Sequence, residues 1–229
     1  NETFNDFESM TKNFVDEILV HLSRCTVQPK RISFVAHSLG TIIVRSALCD
    51  PRLEPLLEKL HCFLSLNGPH CGVMFNQRAY NWGMSLVQWW KKSKSIEQLT
   101  LRDQSPENIR NTFMYKLSQQ SGLSYFKYVL LVGSSQDMYV PCHSALIQPC
   151  KVALKDNTML GIAYGEMVKN LLESVVKRRT TLVRYLAFHG MGNMSKTHQV
   201  LGRAAHIAVL DDDLFIEKLL TVSALQYFA

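Results

Sequence analysis

The stretch Phe34-Val35-Ala36-His37-Ser38-Leu39-Gly40 constrains the fold more than any other, because the chain must change there from extended to helical backbone within a few residues. Residues 31–36 are an apolar run of buried-strand character, and residues 41–49 carry a helical pattern, so Ser38 sits on the turn between them. A serine on a sharp strand-to-helix turn is the nucleophile elbow, whose general form is Gly-x-Ser-x-Gly. Ala36 stands at the first small position and Gly40 at the second. A single methyl group is the smallest departure from glycine, and it narrows the space under the turn. Negative charge developing beside Ser38 would face the Leu39 backbone N–H and the positive end of the following helix. The competing reading is a helix-capping serine in an ordinary loop.

The rest of the chain alternates strand and helix patterns, the signature of an α/β domain with a mostly parallel sheet. Residues 4–22 place Phe7, Met10, Phe14, Ile18 and Leu22 at helical spacing. Residues 60–66 read as a second buried strand ending in Asn67-Gly68-Pro69-His70, and residues 128–133 as a third. Residues 157–176 carry a helix with Met159, Ile162, Met167, Leu171 and Val175 on one face, and residues 180–188 a last strand. A right-handed strand-helix-strand crossover brings the carboxyl ends of the first two strands together, so His37, Asn67 and His70 are candidates to line a crevice beside Ser38. Asn-Gly-Pro also serves a plain turn. Residues 72–124 lack a strand pattern and are expected to form a helical cap inserted in a single domain spanning residues 1–229.

An acid and a base would complete the chemistry of an activated serine. Asp137 follows the third strand and precedes Pro141, where a carboxylate can orient an imidazole. His189, His198 and His206 all lie beyond the last strand, and position alone leaves three candidates. His206 is the best placed, at the end of a loop over 190–202 that could swing it towards Ser38.

Composition excludes several classes. Six cysteines without a Cys-x-x-Cys pair read as reduced thiols, several of them within apolar patterns. His61 and Cys62 are adjacent on a strand and point to opposite faces, which argues against a metal site, and no cofactor motif is present. The formal charge of +6 comes from short basic groups, such as Lys177-Arg178-Arg179, without interleaved aromatics, so no nucleic-acid partner is expected. No apolar run approaches the roughly 20 residues that span a bilayer. Trp82, Leu86, Trp89 and Trp90 share one helical face next to Lys91, Lys92 and Lys94. They either pack beneath the cap, make a peripheral contact with lipid headgroups, or cover an apolar substrate. A cytoplasmic chain, with or without such membrane contact, is the expected location.

With these residues assembled, the chain resembles the putative serine esterase domain, a lipase-like α/β-hydrolase unit, of the family with sequence similarity 135 proteins. The likeness rests on residues 31–40, 63–70, 136–141 and 202–210 and runs along essentially all 229 residues. It implies an α/β-hydrolase fold with flanking helices and a helical cap, Ser38 as nucleophile, Asp137 as acid and His206 as base, in the order Ser, Asp, His. It also implies hydrolysis of carboxylic esters; the tryptophans of the expected cap favour acyl or lipid esters as substrate, with thioesters and small esters as alternatives. The departures are Ala36 and the upstream strands of the fold, expected to be missing, one of which would carry a second oxyanion donor. They motivate the alternative of a catalytically inactive hydrolase-like binding or scaffold module. An exposed edge beside residues 31–37 is expected to favour aggregation.

Overall fold

The computed structural model describes residues 5–76, 93–188, 206, 207 and 209–229. Within them four strands, β1 (Ile32–His37), β2 (Leu60–Leu66), β3 (Tyr128–Ser134) and β4 (Thr181–Ala187), form one parallel sheet in the order β1-β2-β3-β4. Every residue of β2 is buried, as is every residue of β3 after Tyr128, which is why β3 reads as an apolar run and β2 as one broken only by His61 and Ser65, rather than as alternation. β1 alternates between half-buried and exposed positions, and it stands at the edge of the described sheet.

Helix α1 (Phe7–Arg24) begins where the Asp6 carboxylate accepts from the Ser9 N–H at 2.8 Å, which satisfies one of the free donors of the first turn. Its Phe7 ring is fully buried and stacks on Phe113 at 5.1 Å. Burying such a side chain contributes about 1.5–3 kcal/mol. Helix α2 (Leu39–Ala47) follows β1 directly, and α3 (Met159–Lys177) makes the crossover from β3 to β4. These helices, with short helical turns over 94–125, cover one sheet face around Phe63, Val129 and Leu131. The C-terminal helix α4 (Asp213–Lys218) and the turns after it cover the other face, where Leu219 and Ala224 pack with Leu64, Leu130 and Val132.

The α3 face differs in part from the sequence expectation. Met167, Leu171 and Val175 are buried, but Met159 and Ile162 are 40% and 45% exposed, and Ala163, Tyr164 and Val168 face the core instead. Stepping back from Met167 by three and four residues reaches Tyr164 and Ala163, so Ile162 falls off the stripe, while Met159, the first residue of the helix, is exposed at its end. The six cysteines are free; Cys62, Cys71 and Cys150 are core thiols, whereas Cys49 is exposed. Burial pushes the Cys62 and Cys71 thiols up to about 12. Of the expected cap, residues 77–92 lie outside the described residues, including Trp82, Trp89 and Trp90. In its later part Leu99, Met114, Leu117 and Leu123 join the main core, and Gln98 ties it to α1 by accepting from the Phe7 N–H at 2.8 Å. Among the described residues no helix is long and apolar enough to cross a membrane.

Candidate active site

The parallel register brings the carboxyl ends of β1, β2 and β3 side by side, with His37 opposite Leu66 and Leu66 opposite Val132. The next residues continue the ladder: the Ser38 N–H donates to the Leu66 carbonyl at 3.0 Å, and the Asn67 N–H to the Val132 carbonyl at 2.9 Å. Ser38 then turns sharply, with φ 53° and ψ −123°. A non-glycine residue in that region costs about 1–3 kcal/mol and persists only where its surroundings hold it. Thr41 does so, donating to the Ser38 carbonyl from its N–H at 3.1 Å and from its hydroxyl at 2.7 Å. The Ser38 side chain makes no capping bond to α2, so its oxygen is left for other work. Ala36 fits under the turn: even a Cβ built on Gly40 would meet the Ala36 methyl at 3.9 Å, an ordinary contact.

His206 bonds through both ring nitrogens. Its Nδ1–H donates to Asp137 Oδ2 at 2.6 Å, which leaves Nε2 as an acceptor, 3.0 Å from Ser38 Oγ. Asp137 lies just beyond β3 with its side chain 1% exposed. Its other oxygen accepts from the Tyr139 N–H at 2.8 Å and the Val140 N–H at 3.0 Å. The turn-forming role that Asp favours and the orienting of an imidazole are therefore carried by different oxygens of one carboxylate. Asn76 braces the same loop by donating to the Met138 carbonyl at 2.7 Å.

The three expected crevice residues divide. His37 and Asn67 meet the backbone of His206: His37 Nε2–H donates to its carbonyl at 3.0 Å and Asn67 Nδ2 at 3.3 Å. The His37 and His206 rings lie 4.8 Å apart. Burial, followed by the neighbouring His206, holds the His37 imidazole below its ordinary pKa, so it donates as a neutral ring near pH 7.

His70 corrects the sequence reading. It has no exposed surface and cannot touch a substrate in the crevice. It belongs to a buried network in which Arg45 donates to the His70 carbonyl at 2.8 Å and to the Leu117 carbonyl at 3.3 Å. Arg45 also faces His70 Nδ1 at 3.5 Å, which makes Nδ1 the acceptor and Nε2–H the donor to Ser65 Oγ at 2.8 Å. Burial and the Arg45 charge push His70 well below its ordinary pKa, and burial lowers Arg45 to about 10. Gly68 is required here, since a Cβ would come within 2.5 Å of Thr41 Oγ1 and 2.6 Å of Ser65 Oγ. The network fixes the turn after β2, and no sequence pattern announces it, because Arg45 in a helix and His70 in a turn each look solvent-facing. His189 and His198 lie outside the described residues. Among the described residues no group of three or more His, Cys, Asp and Glu side chains is gathered as a metal site would need.

A parallel α/β sheet with a strained serine between strand and helix, an acid beyond a later strand and an imidazole between them has the arrangement of an α/β-hydrolase. The chain belongs to the family described as Putative serine esterase (DUF676), whose model matches residues 1–152. Membership places it among the hydrolases that act on esters. The matched segment includes Ser38 and Asp137 and ends before His206.

Proposed function

We propose that the chain hydrolyses carboxylic esters through Ser38, His206 and Asp137, as one hydrolase unit over residues 1–229. The observation that carries this reading is the imidazole bonded at both nitrogens, to a buried carboxylate on one side and to the serine oxygen on the other. Because Nδ1 holds its proton against Asp137, Nε2 has a free lone pair and takes the proton of Ser38 as the oxygen attacks the ester carbonyl. Asp137 then stabilises the imidazolium. His206 returns the proton to the departing alcohol, and a water activated by the same Nε2 releases the acyl group. The Leu39 N–H, at the start of α2, is the proposed donor to the oxyanion; one such donor is worth about 100-fold or more in rate. The proposed substrate class is an acyl or lipid ester, on the strength of the aromatic residues Trp82, Trp89 and Trp90 within the insertion at about 72–124. The same residues are the proposed point of peripheral membrane contact.

Labelling with a fluorophosphonate ester tests the reading, since that probe reacts with serines activated by a base. The wild-type chain is expected to label and Ser38→Ala to remain blank. A folded wild-type chain that takes no label overturns the assignment.

A further inference from the structure

Four segments far apart in sequence bring cations to the opposite end of the sheet. Lys30 and Arg31 precede β1, Lys59 precedes β2, Lys127 precedes β3 and Arg178 follows α3. Together they line an open basin of about 730 Å³ in which, among the described residues, Glu58 is the one carboxylate. The volume lies in the range of small-molecule sites, about 300–1,000 Å³.

The basin cations differ from other cations of the fold in their pairing. Arg52 is paired with Asp16 and Asp50, and Arg110 with Glu166. Among the described residues none of the five basin cations reaches a carboxylate within ion-pair distance. The Arg178 guanidinium lies over the Tyr125 ring at 4.1 Å, a stacking that fixes its plane while leaving its N–H edge to meet an oxyanion. Read as sequence, Lys177-Arg178-Arg179 is a solvated basic group. In the fold only Arg178 of the three lines the basin, and it joins four cations from other segments there. Like charges gathered around a concave surface focus a field that attracts anions.

We propose that this basin binds a ligand carrying two or more phosphate monoester groups. A phosphate monoester bears about −1.5 to −2 charges near pH 7, so two of them match an excess of four cations over carboxylates. The six residues of β1 separate the basin from Ser38 by about 20 Å. Binding is therefore independent of the esterase reading. The same chemistry is offered by a soluble polyphosphate and by a phosphorylated lipid headgroup.

The test measures binding of inositol trisphosphate by calorimetry, and flotation with phosphatidylcholine vesicles with and without phosphatidylinositol bisphosphate. The Lys59→Gln/Lys127→Gln variant is expected to weaken binding by about tenfold or more. Lys12→Gln/Lys169→Gln removes the same charge from exposed helical positions and is expected to bind as wild type. Lys30→Gln, before β1, repeats the measurement if the double variant melts early. Binding of the trisphosphate in solution marks a free ligand, and binding only to vesicles with the bisphosphate lipid marks a headgroup. No binding to either, or an equal loss in the control variant, overturns the proposal.

Discussion

Asp137→Asn is the most informative perturbation, because the structure dictates how the new amide must sit. In the wild type Oδ1 accepts two backbone N–H groups, from Tyr139 at 2.8 Å and Val140 at 3.0 Å. An asparagine keeps those bonds only by leaving its carbonyl oxygen there, which turns its NH2 group towards His206 Nδ1, where Oδ2 accepts at 2.6 Å. The flipped amide would set two donors against its own NH2 and leave them unpaired, at about 1–3 kcal/mol each. His206 therefore changes tautomer. Nδ1 becomes the acceptor and Nε2 carries the proton, so Nε2 faces Ser38 Oγ as a donor and cannot take its proton. A tautomer trapped in this way costs about 10,000-fold in turnover where it has been measured in serine hydrolases, or about 5.5 kcal/mol. The assay is the rate of fluorophosphonate labelling and of turnover of a short chromogenic ester, with thermal melting to show that the isosteric variant is folded. A folded Asp137→Asn chain that reacts within about tenfold of wild type would refute the reasoning, even if Ser38→Ala is inert.

Two further outcomes follow from the groups around His206 and beneath the turn. His37→Ala removes a donor to the His206 carbonyl and is expected to lower kcat by about 2- to 12-fold, the worth of about 0.5–1.5 kcal/mol, with KM unchanged, while His37→Gln restores a donor and recovers most of the loss; an unaltered kcat in His37→Ala sinks the idea that this bond holds the base in place. Stability is expected to fall as pH drops below about 6.5, because His70 and His37 are held below their ordinary pKa in the folded chain. Above that pH both states are neutral at these rings. Below it the unfolded chain binds protons that the folded chain refuses, at up to about 1.4 kcal/mol per pH unit for fully buried His70. Melting temperatures that stay level between pH 7 and 5, or that rise, would show that these rings are charged in the fold.

Much of the architecture was legible because it rests on local chemistry. The limits of β2 were readable from a largely apolar run ended by Asn67-Gly68-Pro69, since a strand buried on both faces needs no polar alternation. The elbow was readable because few sequences pass from strand to helix across one serine between small residues. The placing of Asp137 just beyond β3 was readable from its position between a strand run and a proline. The face of α3 was read less well: Met159 and Ile162 are apolar, yet Ile162 lies off the buried stripe and Met159 stands at the exposed first residue of the helix. His70 was misjudged because a turn residue beside a strand end looks exposed until a buried arginine from another element is known to lie beneath it.

By itself the sequence determined the alternation of strand and helix and the passage from strand to helix at Ser38, because these depend on neighbours a few positions apart. The tertiary structure alone decided which oxygen of Asp137 faces His206, that His37 and Asn67 clasp the His206 carbonyl, that His70 is sealed in the core, and that cations from four segments share one basin. Each of these depends on how strands, helices and loops pack together, which brings residues up to 169 positions apart within a hydrogen bond of one another and which no local pattern encodes.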